Sequence, residues 1–294
     1  MINLRDLVYF LAVVDKKHFG KAAEACFVSQ PALSMQLKKL EEMLGVQLFE
    51  RNSRQVIVTP IGQEVAKHAR IVLQEVENIR QMAQQARDPF AGEVRIGIIP
   101  TIAPYLLPLL LPKLTEEMPK LRLLLQEGQT QTICKELDEG QLDAVVLALP
   151  IPDYNFIEVE AYREPFYLAV SPNHPLAGRR KVSKDDLEGE LVLLLEDGHC
   201  LREQALEVCK LAGAIENTSF RATSLETLRH MVAVGAGITL VPELAVDRAS
   251  KDLVYIRFKQ PVPARTVGVA YRRNSPRKVL FEKLVALIRR CVAT

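Results

Sequence analysis

The chain has 294 residues, 48% of them apolar and 25% charged, with a formal net charge of +2 and no tryptophan. At roughly 150 residues per domain, that length suits two or three folded units with sizeable cores. The composition excludes a disordered or fibrous chain, and the near-neutral charge excludes a uniformly basic nucleic-acid binder while leaving room for a local basic patch.

Leu4, Leu7, Phe10, Leu11 and Val14 share one helical face. The apolar run within it is bracketed by charges and lacks a small-residue cleavage site, so no signal peptide is expected. No apolar run reaches the ~18 residues of a membrane helix, so no membrane association is expected and the cytoplasm is the expected compartment. Phe19–Ala25 reads as a second short helix, and Ser29 opens a third that runs to about Leu44 and stops at Gly45. Val46–Phe49 and Val56–Val58 are short β-like runs joined by Glu50-Arg51-Asn52-Ser53-Arg54. Helix, turn, helix and a small basic hairpin outline a winged helix-turn-helix.

Thr59-Pro60 is a helix start, a hydroxyl cap followed by proline at the first helical position. Ile61, Val65, Ala69, Val72, Val76, Ile79, Ala83 and Ala86 then recur at steps of three or four to about Arg87. One narrow apolar seam on a long helix calls for a partner, either a second copy of the chain or the helix's own domain. Asp88-Pro89-Phe90-Ala91-Gly92 ends it as a linker.

From Glu93 the pattern changes to strand-helix alternation. Strands are expected at Val94–Ile99, Leu121–Leu125, Asp143–Leu149, Phe166–Val170, Leu191–Leu195 and Ile238–Val241. Helices are expected near Pro104–Glu117, Gln129–Glu139, Leu201–Leu211, Leu225–Val234 and Pro276–Val292. Such alternation predicts a mostly parallel α/β sheet, and pauses near residues 163 and 265 predict two lobes.

In the third helix Val28, Leu33, Leu37 and Leu40 form the apolar face, leaving Gln30, Ser34, Gln36 and Lys38 outward, side chains suited to base edges and phosphates. Arg51 and Arg54 in the wing suit backbone phosphates or a minor groove. Residues 1–60 hold eight Lys/Arg against six Asp/Glu, so charge alone does not separate DNA binding from a protein-contact module. The segment FGKAAEACFVSQPALSMQLKKLEEMLGVQLFER, residues 19–51, resembles the signature of the LysR-type transcriptional regulators, and GAGITLVP at 235–242 is similar to a later strand motif of that family.

The resemblance covers the whole chain. It implies an α/β fold with a winged helix-turn-helix at 1–59, a linker and dimerisation helix at 60–88, and an effector domain at 93–294 similar to periplasmic binding proteins. Lobe I would comprise about 93–163 and 266–294, and lobe II about 164–265. It also implies double-stranded DNA as partner, contacted through Ser29, Gln30, Pro31, Ser34, Gln36, Lys38, Arg51 and Arg54, and a homodimer assembling into a tetramer.

The five cysteines are too few and scattered to staple a fold of this size. Cys26, Cys134 and Cys291 read as packing. In Glu196-Asp197-Gly198-His199-Cys200-Leu201-Arg202 a turn signal precedes an apolar helical pattern, so Cys200 falls at or just before a helix N-terminus. There the helix dipole favours thiolate, and His199 and Arg202 add positive potential that Glu196 and Asp197 oppose. If residues 200–209 form one helix, Cys200 and Cys209 lie about 13 Å apart along its axis. A disulfide needs Cα atoms within roughly 7 Å, so it could close only by melting that helix. By spacing alone, two buried small hydrophobes are the commoner reading.

LEDGHCLREQALEVC at 195–209, IPTIAPYLLP at 99–108, EGQT at 127–130 and FRATSLETLRHMV at 220–232 resemble the peroxide-sensing branch of the family. That resemblance implies that Cys200 is the peroxidatic cysteine and Cys209 the resolving one. Thr101, Thr130 and His199 would line a peroxide pocket, and Arg265, beside a matching RTVG segment, would support the thiolate. Thr223-Ser224-Leu225-Glu226 fits a capping box. A regulator and not an enzyme is expected, with hydrogen peroxide as signal, RNA polymerase and a thiol reductant as partners, and no cofactor or metal. A metabolite-sensing regulator with inert cysteines and a thiol peroxidase are the competing readings.

Overall fold

The computed structural model describes residues 2–51, 56–85 and 88–293, apart from the side chains at 51, 81, 84, 85 and 209–211. The chain forms two compact units, Met1–Ala83 and Gln84–Thr294.

The first unit carries α1 (Leu4–Lys16), α2 (Phe19–Ala25), α3 (Gln30–Leu44), β1 (Phe49–Arg51), β2 (Val56–Val58) and the greater part of α4 (Pro60–Gln85). Local chemistry sets each boundary. Asn3 and Asp6 form a reciprocal capping box on α1, the His18 ring accepts from Gly20 and Lys21 at the start of α2, and Ser29 caps α3. Gly45 ends α3 at φ 68°, a left-handed conformation that costs glycine little. Phe10, Leu33, Leu37, Leu40, Leu48, Ala66 and Ala69 close the core.

Strand β1 begins at Phe49, later than the expected Val46. The Leu48 and Phe49 N–H groups donate to Glu41 Oε1 at 2.7 and 3.2 Å, so the preceding segment hangs on α3 instead of pairing. The α4 seam divides: Ala69 is buried and Val65 half-buried within the unit, whereas Ile61, Val72, Val76 and Ile79 stay exposed. Ala86 and Arg87 lie outside the described residues.

The second unit runs β3 (Gly92–Ile98), α5 (Ala103–Glu117), β4 (Leu121–Glu127), α6 (Thr130–Asp138), β5 (Ala144–Leu149), β6 (Phe156–Val170) and β7 (Lys181–Val182). It continues with β8 (Leu191–Leu195), α7 (Cys200–Leu211), β9 (Ile215–Ala222), α8 (Leu225–Ala233), β10 (Thr239–Pro242), β11 (Val254–Phe258), β12 (Ala264–Arg272) and α9 (Lys278–Val292). The main sheet has the order β4-β3-β5-β12-β6-β11-β7, with β10 also on β6, and β8-β9 is a separate parallel pair.

The sheet is mixed, which corrects the mostly parallel expectation. β3 pairs in parallel with β4 and β5, but β12 is antiparallel to both β5 and β6, and β10 and β11 are antiparallel to β6. Alternation in sequence gives the order of elements, not their direction. The first half of β6 escaped the sequence pattern because charges interrupt its apolar positions, and β12, charged only toward its ends, escaped it as well.

Two hydrophobic cores form the two lobes. One is built from Val94 to Ala161 together with Val267 to Cys291, the other from Phe166 to Phe258. Strand β6 passes from one core to the other, and the buried Glu164 sits between them.

Asp6 is 1% exposed; its carboxylate accepts from the Asn3 N–H and from Gln36 Nε2 at 2.9 Å, binding the start of α1 to α3. Asp6→Ala removes a cap and strands the Gln36 amide, so it should destabilise the first unit by about 1–3 kcal/mol. Urea titration of the full chain by far-UV circular dichroism should show part of the helical signal lost at lower urea; an unchanged curve would contradict this role.

Candidate functional site

The outer face of α3 follows from helical spacing. Gln30, Ser34 and Lys38 recur every four residues, with Gln30 and Lys38 exposed, Ser34 half-buried, and Ser29 and Pro31 exposed at the helix start. Lys38 Nζ lies 3.8 Å from Glu42 Oε1, a solvated pair of little energetic weight. Gln36 departs from expectation. Six residues past Gln30 it is turned about 240° around the helix, off the outer face, and its amide is spent on Asp6. In the wing, the backbone of Arg51 pairs with Val56, while the Arg51 side chain and all of Arg54 lie outside the described residues.

Cys200 is the first residue of α7 and half-buried. Its helix packs on the lobe II core through Leu201, Ala205 and Val208, yet Cys200 itself packs against the lobe I core. The residue therefore straddles the two lobes. Gly198 shapes the approach: its φ of +94° disfavours any side chain, and an added Cβ would fall 2.6 Å from Gln129 Oε1. Gln129 also donates to Glu196 Oε1 at 3.2 Å, so the loop before Cys200 docks on the residue that precedes Thr130 at the start of α6. The buried Thr130 hydroxyl has no hydrogen-bond partner among the described residues.

His199 is 5% exposed, and burial lowers its pKa, with Glu196 and Glu127 pulling the other way. Its imidazole is thus neutral at neutral pH. Arg202 donates to Asp197, Glu216 and the Leu195 carbonyl at 2.8–3.1 Å. The positive potential expected of these two residues is therefore spent: one is uncharged and the other is neutralised by carboxylates. What remains next to Cys200 is the N-terminal end of α7 itself. Cys209 lies on the same helix, with its side chain outside the described residues.

Arg265 and Thr101 come together. Arg265 NH1 donates to Thr101 Oγ1 at 2.9 Å and NH2 to the Thr101 carbonyl at 3.0 Å, while Nε donates to Glu164 Oε2 at 2.7 Å. All three residues are at most 3% exposed. Arg265 on β12 stands directly opposite Glu164 on β6, and the second Glu164 oxygen accepts from the Leu244 N–H. Arg265 thus supports Thr101, the nearer role that the geometry gives it. Glu164 was not foreseen, although a lone carboxylate heading an apolar strand demands a buried cation.

Tyr105 on α5 donates to Glu226 on α8 at 2.8 Å, a further link between lobes. Glu226 Oε1 also accepts from Arg229 at 2.9 Å, and Ser224, not Thr223, caps α8 by accepting from the Thr227 N–H, which corrects the expected capping box. Cys134 and Cys291 are buried in the lobe I core, and Cys26 is half-buried at the end of α2. Among the described residues, no three His, Cys, Asp or Glu side chains are grouped to hold a metal ion, and no helix is long and apolar enough to cross a membrane.

Residues 4–63 match the bacterial regulatory helix-turn-helix protein family of the lysR type, and residues 87–292 match the LysR substrate binding domain. The DNA-binding transcriptional dual regulator OxyR of Escherichia coli (strain K12) is 49% identical over 290 residues, covering 98% of this chain and 95% of that protein. A full-length OxyR variant from Pseudomonas aeruginosa superposes with a TM-score of 0.80 at 37% identity, covering 98% of this chain and 95% of the other. A hydrogen peroxide-bound OxyR mutant from Corynebacterium glutamicum gives 0.69 at 35% identity, covering 99% and 92%. The chain belongs to the LysR family of bacterial regulatory helix-turn-helix proteins and is of the OxyR type within it.

Proposed function

We propose that this chain is a transcriptional regulator that binds double-stranded DNA and senses hydrogen peroxide through a reversible Cys200–Cys209 thiol/disulfide switch. The observation that carries the reading is the position of Cys200, at the helical N-terminus of one lobe and packed on the core of the other.

The Cys200 thiolate attacks one peroxide oxygen, the O–O bond breaks, and the departing hydroxide takes a proton to leave as water. Cys200 is then a sulfenic acid. Cys209 attacks the Cys200 sulfur, the S–S bond forms, and the sulfenic oxygen leaves as a second water. Thr101 accepts from Arg265, so its own proton is free to point at a peroxide oxygen, and the unpartnered Thr130 hydroxyl offers a second donor. Neutral His199 completes the pocket. No organic cofactor or metal enters any step.

The intact α7 keeps the two cysteines about 13 Å apart, so the disulfide requires part of that helix to unwind. The chemistry is thereby converted into a change of shape in lobe II. The exposed stripe Ile61, Val72, Val76 and Ile79 on α4 suits pairing with a second copy, giving a homodimer and, through the effector domains, a tetramer. Ser29, Gln30, Pro31, Ser34 and Lys38 would face DNA with Arg51 and Arg54 of the wing, and Gln36 would orient α3 through Asp6. RNA polymerase and a cytoplasmic thiol reductant complete the cycle.

Thiol mass spectrometry after stoichiometric peroxide should show a Cys200–Cys209 bridge in the wild type and no peroxide-dependent change in Cys200→Ser. A folded wild-type chain that keeps both thiols would return the metabolite-sensing reading, and sustained multiple turnover with a thioredoxin-type reductant would favour a peroxidase. A second test concerns the support of Thr101. Arg265→Met alone leaves Glu164 buried and uncompensated, at a cost of about 3–5 kcal/mol. Pairing it with Glu164→Leu should keep the fold and slow Cys200 oxidation by about tenfold or more; a wild-type rate in the folded double variant would remove Arg265 from the pocket.

A further inference from the structure

We propose that Cys134 is a second resolving thiol, able to capture the Cys200 sulfenic acid while α7 stays helical. The inference rests on the reading of Cys200 as the peroxide-reactive cysteine.

Cys134 is fully buried in the lobe I core, the same core against which Cys200 packs. It lies on α6 four residues after Thr130, and that spacing stacks the two side chains on one face of the helix. The start of α6 is where the Cys200 loop docks, through Gln129, Glu196 and the close approach of Gly198. Burial, then the charges on Cys200 and Glu158, push the Cys134 thiol up to about 12. Cys209, by contrast, is nine residues along α7 and out of reach until that helix opens.

The chemistry needs no oxidant beyond the peroxide already consumed. The Cys134 sulfur attacks the Cys200 sulfur, the S–S bond forms, the S–O bond breaks, and the sulfenic oxygen leaves with the Cys134 proton as water. A thiol held so far from ionisation attacks slowly. Cys209 therefore dominates whenever α7 opens promptly, and Cys134 collects the sulfenic acid that waits. Its product is oxidised but keeps the shape of the reduced chain, and it shields Cys200 from irreversible sulfinic acid.

The test compares full-length Cys209→Ser with Cys134→Ala/Cys209→Ser after stoichiometric hydrogen peroxide, using dimedone trapping, peptide mass spectrometry and non-reducing electrophoresis. In Cys209→Ser a Cys134–Cys200 linked peptide should accumulate within single chains, with two thiols lost and far-UV circular dichroism unchanged. In the double variant the dimedone-reactive Cys200 should persist at least about tenfold longer. A Cys209→Ser chain that keeps a long-lived sulfenic acid and an alkylatable Cys134, or that links only between chains, overturns the proposal while leaving the peroxide reading intact. Absence of any Cys200 oxidation in both variants overturns the peroxide reading and this proposal with it.

Discussion

The buried pair of Arg265 and Glu164 is the constraint on which the effector domain turns. Two charges held at 2.7 Å and almost fully excluded from water are tolerable only when their remaining hydrogen-bonding capacity is filled. Here it is: Glu164 takes the Leu244 N–H, and Arg265 takes both the hydroxyl and the carbonyl of Thr101. The pair sits between the two hydrophobic cores and joins neighbouring strands in register. One ion pair therefore fixes where the lobes meet and aims the Thr101 side chain. A hydrophobic substitute of equal volume could hold the strands as well, but it would leave the threonine without an orienting donor.

In the proposed switch helix α7 is the opposing element, one that must open for the disulfide to close. Its first residue reaches into lobe I, and its body packs on lobe II. Cys200 opens the helix, and the same helix keeps Cys209 beyond bonding distance. Neutral His199 and the carboxylate-bound Arg202 leave the helix end as the electrostatic support next to the thiol.

The winged helix-turn-helix was legible because its determinants are local: caps, an apolar face, a glycine stop. The cysteine-bearing helix was legible for the same reason, with Asp197-Gly198 announcing its start. What escaped was non-local. The first half of β6 carries charges that interrupt the apolar pattern, and the charges of β6 and β12 are partners only after the strands pair, as Arg265 and Glu164 show. The mixed sheet escaped because direction is set by pairing, not by order. Gln36 looked like a contact residue until α1 brought Asp6 beneath it. That Cys134 and Cys200 pack on one core was hidden likewise, since residues 66 positions apart carry no periodic signal.

The low net charge now has a physical reading. Each winged helix is only modestly basic, so in the proposed oligomer affinity for DNA would come from several modules engaged together, with their relative placement as the regulated quantity. The most direct test of the account is amide hydrogen exchange of the full-length protein before and after stoichiometric peroxide. Formation of the Cys200–Cys209 bond should abolish protection along α7, while the amides of β6 and β12 around Glu164 and Arg265 stay protected. A bonded pair within an α7 that keeps its protection would contradict the central claim.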